Sequence, residues 1–274
     1  MKQEILKQCT VEGNVVKLPA GQLDRKVYQE VAKALTQING KWTGGKVMGF
    51  VFKSDPTDLL AEIAGGKKRN IKKEFQFYGT PVGITRLLVS MADLHDYETI
   101  LEPSAGQGAI IKTILEYSKE NVKVDYYELM GENQQIIKET FMPQSINFKG
   151  ENFLECIDKY DRIIANPPFN KNQDIIHLRK MYDCLNEKGI VVSIAATGWI
   201  QNSTKACKEF REWLDDDSYM ENEGRGWKLF GNIGEDAQFQ RKNGDTVYLE
   251  MLDSKTFKSS GANVKTVIIK IEKT

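Results

Sequence analysis

Hydrophobic and polar positions follow different periods in two parts of this chain. From residue 98 onward, short apolar runs alternate with segments of helical spacing. Thr99–Leu101, Val122–Tyr127, Ile146–Phe148, Asp161–Ala165 and Ile190–Ala195 read as strands. Ala109–Tyr117, Glu132–Thr140 and Asp174–Leu185 read as helices between them. The last of these places Ile175, Ile176, Leu178, Met181, Tyr182 and Leu185 on one face. Lys205–Leu214 reads as a further helix, and Thr246–Leu252 and Val264–Ile271 as two late strands close enough to join antiparallel. Repeated βα units imply a parallel sheet with right-handed crossovers and helices on both faces. The first seventy residues differ. Asp24–Leu35 reads as an amphipathic helix carrying Val27, Val31 and Leu35, and Gly40, Gly44 and Gly45 break the chain before a strand-like Lys46–Phe52. Asp58–Ala64 reads as a short helix ended by Gly65-Gly66. The expected class is α/β, a mostly parallel sheet with a small N-terminal α+β appendage. The expected boundaries are 1–70 and 71–274.

Composition narrows the chemistry. The chain of 274 residues has a formal net charge of zero, so no global field draws it to nucleic acid, and a nucleic-acid substrate needs a local basic face. Cys9, Cys156, Cys184 and Cys207 lie far apart without a C-x-x-C pair, which predicts reduced thiols and no metal site. No apolar run spans a membrane and Met1-Lys2-Gln3-Glu4 lacks an apolar signal region, so a cytoplasmic protein with no membrane partner is expected.

Asn166-Pro167-Pro168-Phe169 carries the strongest chemical signal. It follows the buried run Tyr160–Ala165. Two prolines lack N–H groups and fix φ, so the strand stops there in a stiff turn. Asn166 then stands at the carboxyl end of the strand, the edge where open α/β sheets bind ligands. A polar amide, free carbonyls and an aromatic face suit a planar group bearing an NH2. Leu101-Glu102-Pro103-Ser104-Ala105-Gly106-Gln107-Gly108 forms the turn between the first strand and first helix of the βα series. Gly106 and Gly108 permit close backbone approach. Ile111 replaces the third glycine of a dinucleotide fingerprint, and there is no P-loop lysine. Glu102 suits a cationic amine better than a phosphate. Glu128, roughly twenty residues past the turn at the next strand end, is placed to accept from ribose hydroxyls. A ligand with ribose, an amine and no phosphate is S-adenosylmethionine.

These residues together resemble class I S-adenosylmethionine-dependent methyltransferases, in particular the N6-adenine DNA methyltransferases. The resemblance covers residues 71 to 198 well and 246 to 272 loosely. It implies a Rossmann-like, mostly parallel seven-stranded sheet. It also implies methyl transfer to the exocyclic amine of a flipped-out adenine in DNA, S-adenosylhomocysteine as product, no metal, and a setting such as restriction-modification. Asn166, Pro167, Pro168 and Phe169 match the family's catalytic motif. Tyr78, Thr80 and Pro81 match its F-Y-x-T-P element, with Val82–Val89 as the helix that follows. Glu102, Pro103, Ser104, Ala105, Gly106 and Gly108 match its cofactor loop, and Glu128 its ribose ligand. Asn152 stands where the family often has an adenine-contacting aspartate, and Phe153 beside it is either a stacking partner or core. Thr256–Val264 resembles the late hairpin that walls the base pocket.

Three stretches could grip nucleic acid: Gly66–Lys73, Lys41-Trp42 with Lys46, and residues 199–245. The last is a candidate target-recognition insertion with Trp199, Trp213 and Trp227 among Lys205, Lys208, Arg211, Arg225 and Lys228. An RNA methyltransferase acting on adenine N6 or guanine N2, a protein glutamine methyltransferase, and a catalytically silent binding module are the competing readings. The intact cofactor loop and tetrapeptide argue against the last.

Overall fold

The structure, a computed structural model, describes residues 1–70, 79–96, 98–118, 122–215, 237–257 and 264–274. Two compact units, Met1–Phe77 and Tyr78–Thr274, divide the chain.

The first unit contains α1 (Lys2–Gln8), β1 (Thr10–Glu12), β2 (Val15–Lys17), α2 (Arg25–Gln37), β3 (Lys41–Thr43), β4 (Gly49–Val51) and α3 (Thr57–Ala64). Its strands form an antiparallel sheet in the order β1-β2-β4-β3. Asp24 starts α2 by accepting from the Lys26 and Val27 amides at 2.9 and 3.2 Å, which meets two N–H groups that have no helical partner. Val16 and Phe50 share one sheet face and are buried, as are Leu6, Val31, Leu35, Leu60 and Ile63 of the helices. The strand expected over Lys46–Phe52 is shorter because Gly45 and Met48 take left-handed φ values of 66° and 47°, which bends the chain before Gly49. The β1–β2 hairpin and α1 are too short to show a period.

The second unit contains α4 (Val82–Ala92), β5 (Ile100–Glu102), α5 (Ala109–Tyr117), β6 (Val124–Tyr127), α6 (Gly131–Thr140), β7 (Ile146–Gly150), β8 (Tyr160–Ala165), α7 (Gln173–Asp183), β9 (Leu185–Ala196), α8 (Gly198–Gln201), α9 (Lys205–Asp215), β10 (Ala237–Gln240), β11 (Thr246–Met251) and β12 (Thr266–Glu272). One sheet runs β10-β11-β12-β9-β8-β5-β6-β7. Strands β5 to β9 are mutually parallel, and β12, β11 and β10 each pair antiparallel with their neighbour. Seven strands were expected and eight are present. The eighth, β10, is the short polar run Ala-Gln-Phe-Gln, whose exposure alternates at the sheet edge, so it carries little apolar signal.

The apolar runs are continuous because both sheet faces are covered. Ile163, Val191 and Ile269 point into one core with Ile175, Leu178 and Met181 of α7 and Phe210 and Leu214 of α9. Their chain neighbours Ile164, Val192 and Ile268 point into the other, with Leu88 of α4, Ile111 and Ile114 of α5 and Ile137 of α6. Strand order reverses between β5 and β8, since β6 and β7 lie on one side of β5 while β8 and β9 lie on the other. Such a reversal, at the carboxyl ends of these two strands, is where open α/β sheets bind ligands.

Candidate active site

The motif residues come from adjacent strand ends. Leu101 of β5 lies opposite Ile163 of β8, so Glu102 and its turn emerge beside Asn166. Glu102 lies opposite Tyr126 of β6, which runs on into Glu128. Tyr127 lies opposite Gly150 of β7, two residues before Asn152. Four separate sequence signals thus converge on one sheet edge.

The turn after β5 is held from three sides. Its Ala105 amide donates to the Tyr127 carbonyl at 3.0 Å, and its Gly108 amide to the Ala105 carbonyl at 2.8 Å. Gly106 and Gly108 have φ values of 57° and 78°. A Cβ on Gly108 would lie 2.4 Å from Cε2 of Phe141, so a larger residue would have to displace that ring as well as adopt a left-handed backbone. Glu128 is buried, and its Oε2 accepts from the Gly106 amide at 2.6 Å. Its Oε1 accepts from the Met130 amide at 2.7 Å and from Asn133 Nδ2 at 3.3 Å. Gln134 Nε2 donates to the Glu128 carbonyl at 2.8 Å. Burial nonetheless raises the Glu128 carboxyl above the usual carboxylate range.

Glu102 has a second task visible only in three dimensions. Its Oε2 accepts from the Ile111 amide at 2.9 Å, the third residue of α5. The residue before α5 is Gly108, which has no side chain to cap the helix, so a strand carboxylate supplies the cap. Burial drives the Glu102 carboxyl well above its ordinary range, and the nearby Glu128 charge adds to this.

Asn166 is the most informative group. Its Nδ2 donates to Thr80 Oγ1 at 2.9 Å, joining segments 86 residues apart. Its Oδ1 is buried and has no hydrogen-bond partner among the described residues. A buried acceptor without a donor is rare in proteins and costs about 1–3 kcal/mol. Pro167 beside it is buried. The Phe169 ring is half-buried and meets the buried Phe257 ring edge-on at 6.4 Å and 79°. Of the F-Y-x-T-P element, Thr80 and Pro81 precede α4, while Tyr78 lies outside the described residues, as do residues 258–263 of the late hairpin.

Asn152 caps the short turn Phe153–Glu155. Its Oδ1 accepts from the Leu154 amide at 3.1 Å and its Nδ2 donates to Glu155 at 2.8 Å. Phe153 is only 2% exposed and packs between Tyr127 and His177. Three supporting residues gave no periodic signal. Asn133 and Gln134 hold Glu128. Asp174, at the start of α7, accepts from the Ala196 amide at 2.8 Å and ties the segment after Phe169 to the end of β9. Burial raises the Asp174 carboxyl to about 6.

Within the candidate insertion 199–245, the reading of Trp199 and Trp213 as stacking aromatics requires correction. Trp199 is 2% exposed and lies in the core against Phe210, where it cannot stack on a base. Trp213 is partly buried against that core, with the Arg241 guanidinium 5.1 Å from its ring centre. Arg211 donates to the Trp199 and Asn202 carbonyls. Apolar packing against α7 and β11 therefore absorbed the aromatics that their cationic neighbours made look like a binding face. Arg225, Trp227 and Lys228 lie outside the described residues.

A parallel sheet reversed at β5/β8, with its last strand inserted antiparallel between β9 and β11 and a glycine turn after the first strand of the series, is the class I methyltransferase fold. The comparisons agree. The type I restriction enzyme EcoKI M protein superposes with a TM-score of 0.52 at 14% identity, over 92% of this chain and 51% of that one. In sequence, 107 residues are 30% identical to the type II methyltransferase M.HincII of Haemophilus influenzae, 38% of this chain and 19% of that protein. M.HindII of the same species matches equally, over 18% of its length. The match thus spans about a fifth of these relatives. No protein-family model matches the chain. Among the described residues, no helix is long and apolar enough to cross a membrane.

Proposed function

We propose that the chain is a DNA methyltransferase that moves a methyl group from S-adenosylmethionine to the N6 amine of a flipped-out adenine. The observation that carries this reading is the unpartnered, buried Asn166 Oδ1, placed at the strand reversal beside the glycine turn. Similarity to the type II methyltransferases supports it.

The residues fit the cofactor. Gly106 and Gly108 give the turn its left-handed backbone, and the buried carboxyls of Glu128 and Glu102 stand beside it. S-adenosylmethionine supplies an electrophilic methyl on a sulfonium. In this reading Glu128 takes the ribose hydroxyls, the turn from Pro103 to Gly108 cradles the methionine end, and Thr80 holds the Asn166 amide.

The adenine amine is a poor nucleophile because its lone pair is delocalised into the ring. Asn166 Oδ1 and the Pro167 carbonyl accept its two hydrogens and favour a more tetrahedral nitrogen. Positive charge grows on that nitrogen as the bond to methyl forms and the methyl–sulfur bond breaks, leaving S-adenosylhomocysteine, so both acceptors bind the transition state more strongly than the ground state. The proton becomes acidic after transfer and leaves to solvent. Phe169, steadied by Phe257, faces the ring of the base. Extrusion of the base from a duplex costs roughly a few kcal/mol, and the rigid double-proline turn keeps the acceptors aimed.

The test is labelled S-adenosylmethionine offered with DNA, RNA and protein substrates, followed by nucleoside analysis. Label in N6-methyladenine from DNA is expected. Label confined to RNA or to a glutamine side chain overturns the reading.

A further inference from the structure

The zero net charge of this chain hides a division. Met1–Phe77 contains 14 lysines and arginines against 8 aspartates and glutamates, a net of +6. Tyr78–Thr274 contains 24 against 30, a net of −6. The unit that bears the candidate active site repels phosphate on average, and the other attracts it.

The basic run of residues 67–69 is the obvious grip, and much of it is spent. Lys67 is paired with Glu62 at 2.7 Å, and Arg69 binds the same carboxylate. The available cations lie elsewhere. Lys41, Lys46, Lys53, Arg25, Lys26 and Lys33 are exposed, and none has an acidic partner within 4 Å among the described residues. Lys41 lies on edge strand β3 opposite Val51, Lys46 in the turn between β3 and β4, and Lys53 two residues past Val51. Lys41 and Val51 share the sheet face opposite to buried Phe50, so this face is not packed into the core. Trp42 stands on the same edge, 42% exposed and held edge-on by Phe50 at 5.2 Å.

We propose that the N-terminal unit is the chain's grip on the phosphates of duplex DNA, centred on Lys41, Lys46 and Lys53. The proposal rests on DNA being the substrate. Unpaired cations bind a duplex by releasing its condensed counterions, a sequence-independent attraction. The second unit carries a net negative charge, so this sequence-independent attraction is assigned to the first.

The experiment compares the full chain with the triple variant Lys41→Gln, Lys46→Gln, Lys53→Gln. Binding to a duplex of about 30 base pairs is measured across salt concentrations. Each phosphate contact removed lowers the slope of log affinity against log salt by about 0.9, so a fall of about 2 to 3 is expected. S-adenosylmethionine affinity should not change. Lys→Arg at the same positions should restore the slope, which separates lost charge from misfolding. The control triple Lys112→Gln, Lys123→Gln, Lys188→Gln should leave it intact. An unchanged slope in the first triple, or no duplex binding by the wild type at low salt, overturns the proposal. Equal or stronger salt-dependent capture by phosphatidylserine vesicles, or by single-stranded RNA, also overturns it. Duplex binding that needs these lysines, without methyl transfer to any DNA, would sink the proposed function and leave this inference standing. Undiminished transfer in the triple at sub-saturating DNA would do the reverse.

Discussion

Asp245 and Asn166 both enclose polar atoms within the second unit, and they do so in opposite ways. Asp245 is 2% exposed and saturated. Its Oδ2 accepts from the Tyr182 hydroxyl at 2.6 Å, Asn243 Nδ2 at 2.8 Å and Arg241 Nη1 at 3.1 Å, and its Oδ1 from the Thr274 amide at 3.0 Å. The buried Arg241 guanidinium stacks between Tyr182 and Trp213, with only Nε unpartnered among the described residues. Burial alone would raise the Asp245 carboxyl, but the Tyr182 hydroxyl and the other donors bring it below its ordinary range. At the strand ends the balance reverses. Asn166 Oδ1 has no donor among the described residues, and Glu102, Glu128 and Asp174 all sit above their ordinary range. A polar cluster that completes itself serves the fold. The Asn166 amide oxygen, left without a donor, is prepared for a group that brings one.

That contrast can be broken by experiment, most forcefully at Asp245. Asp245→Ala strands the buried Arg241 charge and should cost about 3–5 kcal/mol of stability, lowering the melting temperature by roughly 10 °C. Cofactor affinity measured well below that temperature should remain. A small change in melting would deny the cluster its structural role. Asn166→Ala should do the opposite, lowering kcat by about 10²–10³ while melting and cofactor affinity stay near wild type. Turnover close to wild type would end the assignment of Asn166 as amine acceptor.

The next effect concerns pH. The shift of Asp174 from an ordinary 3.8 to about 6 is worth about 3 kcal/mol. Its folded pKa is raised, so its contribution is full below about pH 4 and is lost as pH rises through 6. Asp245 has a lowered folded pKa and works in the other direction, its contribution being lost as pH falls below the ordinary range. Asp174→Asn should therefore gain stability relative to wild type between pH 4 and 7, read as a growing difference in melting temperature. A constant difference would remove Asp174 from this role. Glu128→Ala should weaken S-adenosylmethionine binding roughly 10- to 100-fold by calorimetry; unchanged affinity would leave Glu128 as a brace of the turn alone. The smallest effect belongs to Thr80→Val, which removes the partner of Asn166 Nδ2 and should lower kcat about fivefold to tenfold.

Much of the second unit was legible because period reports burial. Runs such as Ile163-Ile164 and Val191-Val192 feed two cores at once and so show as unbroken apolar segments. The turn Glu102–Gly108 and the Asn166–Phe169 motif were legible because glycine pairs and proline pairs restrict the backbone wherever they occur. What depends on distant partners was not. That Glu102 caps α5, that Asn133 and Asp174 brace strand ends, and that Trp199 is core are facts of tertiary placement. In the first unit, three-residue strands are too short for any period to appear.

The division of charge between the units also bears on how copies of the chain behave toward each other. A uniformly neutral protein would meet its neighbours indifferently. Here the first unit is net basic and the second net acidic, so at low salt one copy's first unit should attract another's second. Such contacts are heterologous and need not close into a ring. They should dissolve as ionic strength passes about 0.1 M, where screening shortens to roughly 10 Å. Near its isoelectric point of about 6.8, this protein should therefore be more soluble in moderate salt than in none.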